Sequence, residues 1–503
     1  MASGSSSQLP LQMKAFSIMS RALLESKLAI GLFAGVFLAL VIFFSSSASP
    51  EFAVRGLNIL TPESPQNGDA AARSPVREKN DIAPSSANMT APSPAVTTQD
   101  HETEDTNTLT EDAPSSVAAP LKPICDLSDQ RYDGCEMWGD ARTANGTDKS
   151  RVYFIPPPSQ VATAEAANWS IRSQSRKIVG VREVLVMSLN LSNLHEAPNC
   201  TVHRDVPAVV FAAGGLSFNF WHAFSDVLVP LFTTARAFGG QVELVATDAP
   251  VWFVSKYRRV LRALSRYDVV MLDTDAEVRC YPHLIVGLRG HRDLDIDPAR
   301  APNHYDMFAF RAFVREAYAL PAPAAALPVK SGGRKPRLMI ILRGRTRRFV
   351  NADAVVGAIK RAGFDVVRME PSLEADMDAV SREVDACDVL LGAHGAGLTN
   401  MVFLRTGAVV VQVIPWGNME PHSEWFFGAP AAHMGVRHIS YSIAAEESTL
   451  YDKYGKDSPV ITDPGIFYKN GSNARYYWWE QNIRLNTTRF MPTLERVKRL
   501  LQE

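Results

Sequence analysis

Cysteine is scarce in this chain, with five among 503 residues. That excludes a disulfide-dense small scaffold, and because no two stand as C-x₂-C beside a matching pair, there is no zinc-site pattern either. Excess charge of one sign is also missing, with 52 Lys and Arg against 53 Asp and Glu. No global field therefore holds the chain on nucleic acid or an anionic bilayer, where clustered cations must displace counterions. Any partner is recognised at a site. Aromatic residues are absent from Ala53 to Arg131, a stretch rich in Pro, Ser, Thr and Ala. Such a segment cannot bury enough apolar area to offset the entropy of ordering it, so it reads as a flexible stem.

What is present begins with a charge-free run from Leu28 to Ala48, LAIGLFAGVFLALVIFFSSSA. At about 1.5 Å per residue it can cross a hydrocarbon core of about 30 Å as one transmembrane helix. Lys14, Arg21 and Lys27 precede it, so the positive-inside rule keeps residues 1–27 cytosolic and the rest lumenal. A cleaved signal peptide would have a shorter apolar stretch. Sequons at Asn88, Asn145, Asn168, Asn190, Asn199, Asn470 and Asn486 all fall on the lumenal side, as do all five cysteines. Cys125 and Cys135 are close enough to bracket a short loop and are expected to pair; the pairing of Cys200, Cys280 and Cys387 is left open. A tail at 1–27, an anchor at 28–48, a stem at 49–123 and a folded body is the layout expected of a type II protein of the Golgi membrane.

Within the body, strand-like and helix-like patterns alternate. VPAVVFAA ends in Gly214-Gly215 and leads into a helix-length segment that stops at Gly239-Gly240, followed by VELVAT, SKYRRVLRALS, VVML and LIVGL. The rhythm repeats from RLMIIL through NADAVVGAIKRAG, FDVVRM, LEADMDAVSREVDA, DVLLG and AVVVQVI. Unbroken apolar strands alternating with helices predict parallel sheets covered on both faces. The Pro-rich Ala319–Pro336 reads as a linker, giving an α/β chain of two doubly wound, Rossmann-like domains, 124–328 and 329–503, facing a cleft. Ligands of such sheets bind outside the carboxyl ends of the strands.

The chemistry lies at those ends. In AHGAGLTN, Gly395 and Gly397 allow a tight turn, the following helix offers free N–H groups to an anion, and Thr399 and Asn400 add side-chain donors. His394 beside them is either a donor to a diphosphate or a base, or a core histidine satisfied by backbone. RGRTRRFVN packs Arg343, Arg345, Arg347 and Arg348 into six residues, and guanidinium forks suit phosphate oxygens. Asn219, His222 and Asp226 share one helix face, so a carboxylate one turn away can orient His222 as a general base; the alternative is an N-terminal capping arrangement. Glu420, in PWGNMEPHSEW, is placed to hold sugar or ribose hydroxyls, or is a surface carboxylate. Tyr476, Tyr477, Trp478 and Trp479 either stack on a polysaccharide or pack the returning C-terminal segment. A rival reading is a metal-dependent transferase in which Asp273 and Asp275 of VVMLDTD bind Mn²⁺ or Mg²⁺; D-x-D recurs at Asp293/Asp295, Asp295/Asp297 and Asp376/Asp378.

In order, GGLSFNFWHAFSDVLVPLF, LDTDAEVRCYPHLIVGLRGH, RGRTRRFVN and LLGAHGAGLTNMVFL resemble plant members of glycosyltransferase family 61. The resemblance covers most of the body and implies a GT-B fold of two domains, with 124–328 on the acceptor side and 329–503 binding the nucleotide sugar. It implies Golgi residence and inverting transfer of a pentose, arabinofuranose or xylose, from a UDP-sugar to xylan, with no metal or other cofactor. The family motif carries over at Asn219, His222, Asp226, Arg343, Arg347, Asn351, His394, Gly395, Gly397 and Asn400. Phe218 departs from it, where a smaller residue is expected before the Asn, which bears on the acceptor. An N-glycan-type xylosyltransferase and a non-catalytic lumenal partner of a xylan synthase complex are the alternatives, and oligomeric state is left open.

Overall fold

A computed structural model describes residues 124–146, 148–160, 165–177, 180–321 and 334–503. The expected anchor, the stem, the sequon at Asn88 and most of the expected linker lie outside the described residues. Among those described, no helix is long and apolar enough to cross a membrane. The fold is mixed α/β, built on two sheets.

The first sheet has ten strands. Its main path runs β4 (Ala167–Arg172), β5 (Glu183–Ser188), β3 (Arg151–Ile155), β2 (Gly134–Ala144), β10 (Arg279–Val286), β7 (Ala208–Ala212), β8 (Glu243–Thr247) and β9 (Val270–Met271). The short β1 (Cys125–Asp126) and β6 (Val202–His203) pair with β2 and β10. Every residue of β7 and β8 is buried, and these strands pair in parallel, as continuous apolar runs require. The remainder departs from the expected all-parallel sheet: β10 with β2, β2 with β3, and β4 with β5 are antiparallel. The cause lies in residues 124–203, whose strands alternate buried and partly exposed positions, as in β2, and so cover only one face.

The second sheet holds five strands, all parallel, in the order β12 (Asp365–Met369), β11 (Arg337–Ile341), β13 (Val389–Ala393), β14 (Val409–Ile414) and β15 (Arg437–Ser442). Helices Ala352–Arg361 and Met377–Asp385 connect its strands; Gly363, at φ +96°, ends the first, and Asp376 caps the second by accepting from Asp378 N. One apolar cluster runs across both sheets, from Phe211 and Leu244 through Phe224, Phe310 and Phe403 to Ile341 and Leu390. The helix Met307–Ala317 is stapled to it by two fully buried arginines: Arg311 donates to the carbonyls of Leu404 and Met434, and Arg315 pairs with Asp385 at 2.7 Å. Deeply buried guanidinium groups persist only when so bonded.

Two disulfides tie the first sheet. Cys125–Cys135 joins cross-strand partners of β1 and β2, and Cys200–Cys280 fastens the segment before β6 to β10. Cys387 is a buried free thiol. Asn145, Asn168, Asn199, Asn470 and Asn486 are exposed and Asn190 is half-buried. Asn486 also caps the helix Thr487–Leu500 through Thr488 N and Arg489 N.

Candidate active site

Because β13 neighbours β11 on the side opposite β12, the winding of the second sheet reverses between β11 and β13. A crevice opens at the carboxyl ends of strands at such a switch point. The arginine cluster follows β11 and the Gly-rich turn follows β13, so the strand order brings the two motifs together. Arg347 Nη1 donates to His394 O at 2.9 Å. Gly395 adopts φ +145°, and a methyl group there would lie 2.4 Å from Arg343 Nη1 and 3.4 Å from Arg347 Nη1, so only glycine admits both guanidinium groups.

Neither arginine has a carboxylate partner among the described residues. Arg343 Nε donates to Thr346 O at 2.8 Å, while Arg347 Nε is buried without a partner and its guanidinium lies 5.5 Å from the Trp478 ring. Burial lowers both pKa values, and Arg343 adds to the effect on Arg347, bringing it to about 9. Two adjacent cations lacking a counter-charge form a cradle for a dianion. Arg345 and Arg348 are exposed, which is the solvated reading of those two.

The remaining residues around the turn divide. The segment after Gly395 is a 3₁₀ run, Ala396–Phe403, rather than the expected α-helix. Gly397 is required by packing, since a methyl there would lie 2.9 Å from Ile341 Cγ2. Thr399 Oγ1 and Asn400 Oδ1 are buried without partners, and Asn400 Nδ2 donates to Gly397 O at 2.8 Å. Asn351 is turned to a structural task instead: its Nδ2 donates to Leu485 O at 2.9 Å and its Oδ1 accepts from Leu485 N at 3.1 Å, which clips down the C-terminal segment. Glu420 is exposed and accepts from Ser442 Oγ at 2.8 Å. Of the four aromatics, Tyr477 is buried with its hydroxyl on Val460 O, Trp479 is exposed, Tyr476 packs on Phe467, and Trp478 stands against Arg347 and His394.

His394 is buried, and its pKa lies well below the usual imidazole value because of burial, then Arg347, His422 and Arg343. It is therefore a neutral imidazole. The short helix Glu420–Ser423 brings His422 beside Trp478 and leaves the His422 Nδ1 buried without a partner.

From the first half, the helical segment opens at Phe220–His222, continues through a π-helical stretch, Ala223–Leu228, and ends in Val229–Ala235. π-helical turns inside helices are frequent at functional sites. Asn219 caps the segment, its side chain accepting from Trp221 N at 3.0 Å, which is the capping role rather than an acceptor contact. His222 Nδ1 lies 2.6 Å from Asp226 Oδ2. Asp226 is buried beneath Arg176, whose Nε reaches both oxygens at 3.1 and 3.0 Å, and Arg131. Burial alone would raise its pKa, but Arg176, the His222 hydrogen bond and Arg131 together hold it at about 2. Asp293 shares both arginines, pairing with Arg131 at 2.7 Å and with Arg176. A permanently ionised carboxylate on Nδ1 leaves Nε2 as the nitrogen free to take a proton.

The two halves meet here. Phe220–His222 packs on Ala396–Phe403, Trp221 Nε1 donates to Phe426 O at 3.5 Å, and the Phe426 ring lies 4.9 Å from Trp221 and 6.2 Å from His394. One aromatic bridge therefore separates the His222–Asp226 pair from the arginine cradle.

Asp273 and Asp275 do not converge. Asp273 Oδ1 accepts from Ser150 Oγ and Thr247 Oγ1, its Oδ2 accepts from Asp248 N at 2.6 Å, and Asp275 pairs with Arg279. Among the described residues, the one group with metal-ligand spacing is Asp140 with Cys200 and Cys280, whose sulfurs are already bonded to each other. Arg131, Arg176, Gln412, His422 and Trp478 escaped the sequence reading. Arg176 stands in SQSRK and Gln412 in VVVQVI, with no motif to mark the first and only a polar residue inside an apolar strand to mark the second.

Residues 220–411 match the family described as Glycosyltransferase 61. The chain is 38% identical over 398 residues to the alpha-1,3-arabinosyltransferase XAT3 of Oryza sativa subsp. japonica, covering 78% of this chain and 67% of that one. It is 37% identical to the rice alpha-1,3-arabinosyltransferase XAT2, over 74% of this chain and 64% of the relative, so the match spans about two thirds of these two proteins. To the rice beta-1,2-xylosyltransferase XYXT1 it is 38% identical, covering 75% of this chain and 84% of the relative.

Proposed function

The chain belongs to glycosyltransferase family 61, and we propose that it transfers a pentose, arabinofuranose or xylose, from a UDP-sugar to a xylan backbone or side chain in cell-wall biosynthesis. The observation that carries this reading is the pair of partly buried cations, Arg343 and Arg347, converging on Gly395 without a carboxylate among the described residues. In the proposed reaction the diphosphate lies on that cradle, and the two guanidinium groups stabilise the charge that develops as the glycosidic C–O bond to the diphosphate breaks. His222 Nε2 takes the proton of the acceptor hydroxyl, which attacks the anomeric carbon from the opposite face and inverts it. Asp226 holds the imidazole and offsets the positive charge it gains. No metal is assigned to the step, since the arginines supply the charge a metal would bring.

We read the two sheets as the halves of a GT-B fold, the first serving the acceptor and the second the nucleotide sugar. Residues 28–48 anchor the chain in the Golgi membrane with the body lumenal. Names of relatives support the xylan acceptor: two rice arabinosyltransferases and, at 29% identity, the xylan glycosyltransferase MUCI21 of Arabidopsis thaliana. The test is transfer by the detergent-solubilised full-length chain from UDP-arabinofuranose and UDP-xylose to xylo-oligosaccharides, followed by mass spectrometry. A pentosylated product from one donor is expected. Absence of product with either donor, while a control transferase is active in the same preparation, overturns the reading.

A further inference from the structure

β14, VVVQVI, is buried along its whole length and apolar except for Gln412, which is fully buried. A primary amide in the middle of a parallel sheet is costly unless both ends are hydrogen-bonded. Both are, and each partner is a histidine on a neighbouring strand or its end. Gln412 Nε2 lies 2.7 Å from His394 Nδ1, just past β13, and Gln412 Oε1 lies 2.7 Å from His438 Nε2 on β15. Ser423 Oγ approaches the same His394 nitrogen at 3.4 Å.

The donor inventory decides the direction of this chain. An amide nitrogen only donates and an amide oxygen only accepts. His438 therefore donates from Nε2 to the Gln412 oxygen, and the Gln412 amide donates to a bare Nδ1 on His394. In a neutral imidazole the single proton then sits on Nε2, which has no protein hydrogen-bond partner among the described residues. Groups facing His394 from the surrounding elements all favour neutrality: Arg343 and Arg347 after β11, and His422 on the Glu420–Ser423 helix. His438 is itself near one carboxylate, Glu424, at 3.9 Å.

We propose that Gln412 and His438 are positioning residues of the donor site, which fix His394 as a neutral imidazole with its proton on Nε2, a hydrogen-bond donor to the diphosphate beside Arg347. This rests on the donor-site reading given above. A second arginine-like cation would add repulsion at the cradle, whereas a neutral N–H adds a directed hydrogen bond to an oxyanion.

The experiment uses the full-length chain in detergent, measuring kcat and KM for the active UDP-pentose, and UDP affinity, from pH 5.5 to 8.5. In Gln412→Glu, the new carboxylate accepts a proton from His394 Nδ1 and strips Nε2 bare in the neutral ring, so transfer should fall about 10- to 100-fold near neutrality. Protonation restores Nε2–H, so the variant should regain activity as the pH falls, while the wild type stays flat in this respect. His438→Ala, nearer the surface and less apt to disturb the core, should lose transfer by about 3- to 10-fold, because the amide is then free to turn. An unchanged rate and pH profile in Gln412→Glu overturns the proposal, as does a loss of equal size at every pH accompanied by a lowered Tm. Failure of the donor-site reading itself shows separately, as unchanged UDP affinity in Arg343→Ala and Arg347→Ala.

Discussion

His222 Nδ1 stands 2.6 Å from Asp226 Oδ2, and that carboxylate is in turn gripped by Arg176. The charge order is therefore base, buried anion, buried cation, and it makes Asp226 as much a structural ion as an orienting one. His222→Ala should lower kcat by about 10²-fold or more with little change in Tm, because general-base loss acts on the transition state while the side chain is partly exposed. Transfer within a few-fold of wild type would remove His222 from the mechanism.

Asp226 gives a pH-dependent stability of known sign. Its folded pKa, about 2, is below its unfolded value, so the stabilisation is fully present above about pH 4 and is lost as the pH falls toward 2. The amount is on the order of 2 kcal/mol. Asp226→Asn should remove this acid-limb slope from urea midpoints measured across that range, and should lower stability at pH 7 by leaving Arg131 and Arg176 to share Asp293 alone.

Arg347 predicts opposite signs for stability and function. Its guanidinium is costly in the empty site, where burial and Arg343 push its pKa down to about 9. Arg347→Met keeps the packing against Trp478 and removes the unpaired charge, so the ligand-free Tm should rise, while UDP affinity falls at least about 10-fold. UDP should raise the Tm of the wild type, and of the variant far less. A variant less stable without UDP, yet binding it normally, would show that the arginine serves the fold.

These outcomes bear on what the residues alone could say. The βα rhythm from Ala208 and from Arg337 was readable because strands covered on both faces appear as uninterrupted apolar runs. The antiparallel half was not, since β2 shows only alternation and its partner β10 lies far along the chain. The arginine cluster was visible as composition, but its inward members are selected by backbone geometry: Arg347 adopts φ +55°, a conformation no residue count reveals. Asn351 was misread because its partner, Leu485, arrives from the C-terminal segment, and Arg176 and Gln412 matter only through tertiary contacts.

The two disulfides should differ in worth. They close sequence separations of 10 and 80 residues. Loop-closure entropy then puts the loss at about 2.7 kcal/mol for Cys125→Ser and about 4.5 kcal/mol for Cys200→Ser. Denaturant unfolding of the oxidised chain and the two variants should rank them in that order; the reverse ranking would mean that strain or residual structure, rather than loop length, governs.

Asp273 separates the metal-dependent reading from the one adopted here. A carboxylate that binds a catalytic cation needs oxygens open to it, yet Asp273 accepts from two hydroxyls and a backbone N–H, and Arg182 stands 3.3 Å away. Those bonds join β3, β8 and the end of β9, so Asp273→Asn should act on stability, by about 1 to 3 kcal/mol, as buried acceptors lose a charge-assisted partner. Transfer by the folded variant should keep the wild-type dependence on added cations. With excess EDTA the wild type should retain its rate, since the charge that develops on the leaving diphosphate is met by Arg343 and Arg347. Loss of transfer in EDTA, restored by Mn²⁺ and abolished in Asp273→Asn, would transfer the leaving-group role from the arginines to a metal at the end of β9.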